Sequence, residues 1–140
     1  MSRRKSSKKM FRDAWNPTHE EVVRWAYTPN VFTPDQDFEL AVIQNPDLHN
    51  LILQCVGDEE CPHRYFFLGC LYVLVGDAVR SNWTTFSRAI ITNLIKKGQQ
   101  ALDPEIRKWA ERAEKLISDP AAYSYDQWGL GSSYISEASQ

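Results

Sequence analysis

Four residues in the middle of the chain have side chains that could bind a metal ion, namely Cys55, Cys61, His63 and Cys70. Thiolates and imidazoles are the usual protein ligands of zinc. Their spacing matches no compact zinc motif, and Cys70 lies within a long apolar segment. Because free cysteine commonly behaves as a small buried hydrophobic residue, the sequence predicts no metal site and no cofactor.

The pair Cys61 and His63 is also a candidate for nucleophilic catalysis. A thiol at a helix N-terminus has a lowered pKa, and the neighbouring imidazole is a potential base. Such a pair needs a third group that orients the base, and the sequence shows none. The alternative is that Cys61 is only the N-cap of a helix, with His63 in its first turn. We therefore assign no catalytic residue, and an enzyme site near Cys61 and His63 stays an alternative hypothesis.

Asp77 and Arg80 are a second pair with chemical potential, at the end of the same apolar segment. Their spacing of three residues places them on adjacent turns of one helix face. A carboxylate beside a guanidinium could orient a ligand or a side chain of a partner. The other interpretation is an ion pair that closes the helix end, because charges near a core are usually paired. Asp77 and Arg80 are therefore candidate binding residues and an alternative place for an enzyme site.

Aromatic residues form two clusters along the chain. Trp and Tyr anchor many protein interfaces, although most such residues pack in cores. The second cluster lies beyond the last predicted helix, so its residues Tyr123, Tyr125 and Trp128 are predicted to bind another protein. The first cluster consists of Trp15, Trp25, Tyr27 and Phe32, and the second also includes Tyr134.

Charge is distributed unevenly. Residues 1–12 hold six of the 16 basic residues and no acidic one, which leaves ten basic against 18 acidic residues in the body, a formal charge of −8. Phosphate recognition needs a basic surface, so the body is not expected to bind nucleic acid, whereas the arm could do so. Because residues 1–9 have little apolar content, the arm is expected to be flexible.

The prolines mark the predicted helix starts. Six of the seven prolines follow Asn, Thr or Asp, which are preferred N-cap residues, and proline is well tolerated at the first helical position. Apolar residues then recur at helical spacing, most clearly after Asp103-Pro104. Helices are predicted after Thr18, Thr33, Asn45 and Asp103, and another is predicted to carry Phe86, Ile90, Ile91, Leu94 and Ile95 and to end near Gly98.

The segment from Tyr65 to Val75 is apolar on every side. Periodicity cannot distinguish a buried helix from a buried strand here, but the length and Pro62 favour a central helix over residues 62–80. The predicted fold class is all-α, a compact bundle of about five or six short helices around this helix. Residues 13–128 are predicted as the helical domain, between the basic flexible arm 1–12 and a flexible Ser-rich tail 129–140.

The function class follows from these features and from missing motifs. The sequence has no signal peptide, no apolar run that spans a bilayer and no disulfide framework, so we expect a cytoplasmic protein that does not bind membranes. It has no Gly-rich phosphate loop, nucleophile elbow or zinc-protease motif. The hypothesis is a small protein–protein interaction or regulatory module, of which an inhibitor of the immunity type is one form. The alternatives are a nucleic-acid-associated protein that uses residues 1–12, and an enzyme at one of the two pairs above.

Overall fold

The structure is a computed structural model that describes residues 4–124 and residue 128. The described residues form six α-helices and no strand, which confirms the all-α prediction. No helix among them is long and apolar enough to cross a membrane. The helices are α1 (His19–Ala26), α2 (Phe38–Ile43), α3 (His49–Gly57), α4 (Arg64–Arg80), α5 (Arg88–Gln99) and α6 (Pro104–Ser118), with 3-10 turns at Lys8–Met10, Pro46–Leu48 and Pro120–Ala122.

Several helices begin where the cap signals predicted. Thr18 forms a capping box with Glu21, in which each side chain accepts a hydrogen bond from the other residue's backbone N–H. Asp103 accepts from the N–H groups of Glu105 and Ile106 at the start of α6. These bonds satisfy donors that the first helical turn leaves unpaired.

Two predicted starts differ from the structure. After Thr33-Pro34 the chain turns, Pro34 is buried, and α2 begins only at Phe38. Cys61 is not an N-cap, because α4 begins three residues later. Cys61 lies instead in a turn, in which its N–H donates to the carbonyl of Asp58. A cap residue before a proline therefore marks a chain reversal as readily as a helix start.

The long apolar segment is the helix α4 rather than a strand. It covers residues 64–80 of the predicted 62–80. A Schellman motif ends it: the N–H of Trp83 bonds the carbonyl of Ala78, and the N–H of Asn82 bonds that of Val79. Asn82 has a φ of 54° and Trp83 a φ of 65°, the left-handed region that asparagine tolerates better than a bulky residue.

The chain divides into two compact units, residues 1–70 and 71–140, where the sequence predicted one helical domain. The core of the first unit is aromatic. Trp25 of α1 is buried and contacts the rings of Phe38, Phe66 and Phe67 edge-on, with ring centroids 5.0 to 5.9 Å apart. Such edge-to-face pairs add to the stabilisation from buried apolar area.

Residues 4–12 pack on the first unit, in contrast to the flexible arm expected from composition. Lys5 forms a parallel β-bridge to Val31. The N–H of Lys5 donates to the carbonyl of Asn30 at 2.8 Å, and the carbonyl of Lys5 accepts from the N–H of Phe32 at 2.9 Å. Ser7 is buried and donates to the carbonyl of Phe32. Phe11 is buried against Phe38, at 5.1 Å between ring centroids. Composition alone did not predict that one apolar residue, one serine hydroxyl and two backbone hydrogen bonds hold this basic segment in place.

In the second unit, α5 and α6 form an antiparallel hairpin. The guanidinium of Arg88, at the start of α5, donates to the carbonyl of Ile117, near the end of α6. At the other end Gly98 lies against the ring of Trp109, which is fully buried. The helix α5 ends at Gln99, near Gly98 as predicted, and a Cβ at Gly98 would lie 2.9 Å from Cζ3 of Trp109.

Candidate protein-binding surface

Asp77 and Arg80 form the ion pair that their spacing predicted. The guanidinium lies 3.0 Å from the Asp77 carboxylate, on the last turns of α4. Partial burial raises the pKa of Asp77, although the charge of Arg80 acts in the opposite direction. The pair lies at the end of α4, and Arg80 is exposed, so the geometry is compatible with both the binding and the helix-closing interpretations.

The predicted aromatic binding residues pack against α4. Trp128 donates its indole N–H to the carbonyl of Tyr72 at 2.7 Å, and the guanidinium of Arg112 lies 5.1 Å from the ring of Tyr72 and 5.2 Å from that of Trp128. Trp128 and Tyr123 also line the space beside Gly76, where a Cβ would lie 3.0 Å from the indole. Tyr125 lies outside the described residues. Tyr123 and Trp128 thus contribute to packing in the second unit.

The cysteines and His63 are in an environment that suppresses their reactivity. Burial raises the pKa of Cys55 to about 12 and also raises the pKa of Cys61 and of Cys70. The described residues include no group of three or more His, Cys, Asp or Glu side chains placed to hold a metal ion. Because the thiolate is both the nucleophile and the metal ligand, thiols held protonated are poorly suited to either role.

His63 has a packing role. Its ring stacks on Trp25 with centroids 4.1 Å apart, and its Nε2 donates to the carbonyl of Thr28 at 2.7 Å. Burial lowers the pKa of His63, which favours the neutral imidazole. The thiol of Cys61 donates to a different carbonyl, that of Ala26, at 3.3 Å. Together these bonds tie the turn before α4 to the end of α1.

The sequence did not single out a surface of the first unit on which Trp15 is held in a fixed position. The N–H of Trp15 bonds the carboxylate of Asp13 at 3.0 Å, and Gln44 donates from its amide to the carbonyl of Trp15 at 2.6 Å. The side chain of Trp15 is nevertheless 53% exposed. Leu40, one helical turn before Gln44 on α2, is 39% exposed. We call Asp13, Trp15, Asp37, Leu40 and Gln44 the Trp15 surface.

This surface belongs to the acidic part of the chain. Residues 13–70 contain ten acidic and two basic residues, whereas residues 71–140 contain eight of each, so the whole −8 of the body lies between residues 13 and 70. One sequence signal pointed to Leu40: Phe38, Ala41 and Val42 recur at helical spacing on one face of α2, and Leu40 falls on the opposite side. No local signal indicated that Trp15 is exposed while Trp25 is buried.

Comparisons with protein-family models, with curated proteins and with solved structures found no match for this chain.

Proposed function

We propose that this protein is a protein-binding module, and that the Trp15 surface contacts a partner with a basic face. The observation that carries the proposal is the exposed indole of Trp15, on a backbone whose N–H and carbonyl are both held by hydrogen bonds. Tryptophan is strongly enriched among the residues that dominate the free energy of protein binding. An indole whose backbone is already held on both sides loses less conformational entropy on binding than a mobile one.

The charge of the surroundings supports a basic partner. Asp13 accepts from the backbone N–H of Trp15, Asp37 lies one helical turn before Leu40, and both carboxylates are exposed. Complementary charge accelerates association and excludes partners of the wrong sign. An inhibitor of the immunity type, in which an acidic helical surface covers a basic target, is one form of such a module.

The thiols favour this function over an enzyme at Cys61. All three cysteines are free and buried, which fits the reducing cytoplasm expected from the sequence. Their raised pKa values do not suit nucleophilic catalysis.

Affinity purification with the wild-type protein and with the double variant Trp15→Ala/Leu40→Ala tests the proposal. A partner that binds the wild type should be lost from the variant, and the dissociation constant of the purified pair should rise by at least tenfold. The matched control is Tyr65→Ala/Ile90→Ala, which truncates side chains that are 53% and 37% exposed elsewhere and should leave binding unchanged.

Three results would contradict the proposal. The partner could bind both double variants equally well. It could lose affinity only for the control variant. Its contact face could be acidic, in which case added salt would strengthen binding rather than weaken it.

A further inference from the structure

Residues 4–12, which we call the ridge, are held in place within the first unit. The contacts that hold the ridge leave its cationic groups in solvent. Lys5 is held through its backbone, Ser7 through its hydroxyl, and Phe11 through its ring. The N–H of Arg12 bonds the carboxylate of Glu21 at 2.8 Å. The cationic residues of the ridge are all exposed: Arg4, Lys5, Lys8, Lys9 and Arg12.

An exposed aromatic ring lies beside this ridge. Phe32 is 53% exposed, and the guanidinium of Arg4 lies 5.8 Å from the centre of its ring. The carbonyl of Phe32 accepts hydrogen bonds from Ser7 and from the indole of Trp25. The backbone of Phe32 is therefore tied to both the ridge and the core. Exposed cations beside an exposed aromatic ring combine the two elements with which proteins bind single-stranded nucleic acids without sequence preference.

We infer that the ridge of residues 4–12 binds the phosphates of a single-stranded nucleic acid, with one base stacked on Phe32. This site shares no residue with the Trp15 surface and does not depend on the protein partner proposed above. A membrane surface offers the same phosphate chemistry but also needs apolar side chains that insert among the lipids. Within the ridge Phe11 is buried and Met10 is half-buried, so Phe32 is the only exposed apolar side chain that this site offers.

Fluorescence anisotropy of a labelled oligothymidine, measured at increasing salt concentrations, tests this inference. Each phosphate contact to a single strand contributes about −0.7 to the slope of log K against log salt, so five contacts give about −3.5. Between about 50 and about 200 mM salt the dissociation constant should then rise roughly a hundredfold. Lys8→Gln/Lys9→Gln should reduce the slope to about −2.1. The control Lys96→Gln/Lys97→Gln, which removes equal charge from α5, should leave it unchanged.

Two further variants separate a fixed ridge from a loose basic tail. Ser7→Ala keeps every charge but removes the hydroxyl bond to Phe32, so affinity should fall while circular dichroism stays unchanged. Phe32→Ala removes the stacking ring and should weaken binding roughly five- to a hundredfold with little change in slope. Trp15→Ala/Leu40→Ala should bind the oligonucleotide like the wild type, so a failure of the proposed protein-binding function leaves this result interpretable.

The inference is overturned if the slope is near zero, or if the Lys96/Lys97 control loses as much affinity as the Lys8/Lys9 variant. It is also overturned if vesicles rich in phosphatidylserine bind more tightly than the oligonucleotide and with the same dependence on Lys8 and Lys9. If Ser7→Ala and Phe32→Ala both bind the oligonucleotide as tightly as the wild type, neither the anchoring of the ridge nor the ring contributes, and the inference is overturned as well.

Discussion

Replacing Gly98 by alanine tests the packing of the α5–α6 hairpin, because two physical effects of opposite sign meet at this residue. Within a helix alanine is more favourable than glycine by up to about 1 kcal/mol, although Gly98 is the residue before the last of α5. A Cβ built at Gly98, however, would lie 2.9 Å from Cζ3 of Trp109 and 3.1 Å from Cβ of Ala110. Ordinary carbon–carbon contacts are about 3.5 to 4.0 Å.

The packing effect should dominate. Trp109 and Ala110 are both 0% exposed, so the indole cannot swing into solvent to make room. Overpacking a tight core costs about 1–3 kcal/mol. Because this packing cost exceeds the gain in helix propensity, we expect Gly98→Ala to lower the free energy of unfolding by about 1 kcal/mol. The melting temperature should fall by roughly 3–6 °C.

Denaturant unfolding followed by circular dichroism measures this effect, with two companion variants. Asn93→Ala, on the exposed side of α5, reports the propensity gain alone and should stabilise by about half a kcal/mol. In a Trp109→Phe background the outer ring atoms are gone, so Gly98→Ala should become neutral or stabilising. If Gly98→Ala stabilises the otherwise wild-type protein as much as propensity predicts, the close contact with Trp109 is wrong.

Three further predictions concern other parts of the fold. Leu71→Ala, at a fully buried position of α4, should cost about 2–5 kcal/mol in a denaturant titration, and a cost well below 1 kcal/mol would contradict its burial. Hydrogen bonds from the N–H groups of Thr18 and Arg12 lower the pKa of Glu21, so its contribution to stability is present at neutral pH and lost as the pH falls through that lowered pKa. The difference in melting temperature between wild type and Glu21→Gln should therefore shrink in acid, and a difference independent of pH would argue against these bonds. Asn82→Ala should cost about 1 kcal/mol because alanine is strained at φ 54°, whereas Asn82→Gly should be tolerated in the same melting assay.

Sequence signals predicted the elements whose causes are local. The capping box of Thr18 and Glu21 and the cap of Asp103 involve residues at most three apart, and both appear as expected. The helix over the apolar segment followed from its length and its proline. The pair Asp77 and Arg80 formed because helix geometry alone brings residues three apart together.

The exposure of aromatic side chains could not be predicted because it depends on distant residues. Trp128 packs against Tyr72, which is 56 residues away along the chain, and its role in binding another protein stays a prediction. Trp15 looked no different from Trp25, and its position depends on Gln44, 29 residues away. Side chains that meet across such separations leave no periodic pattern in the sequence.

The contacts of residues 4–12 explain why composition wrongly suggested a flexible arm. They also determine what the salt experiment measures. A basic segment on an acidic unit suggests attraction between opposite charges, which salt weakens. Apart from the bond to Glu21 and the contact of Arg4 with Phe32, the segment is instead held by neutral groups: the backbone of Lys5, the hydroxyl of Ser7 and the ring of Phe11. Neutral hydrogen bonds and apolar contacts are little affected by screening. The ridge should therefore stay in place at salt concentrations that release a polyanion, so the measured slope reports the ligand's phosphates and not detachment of the ridge.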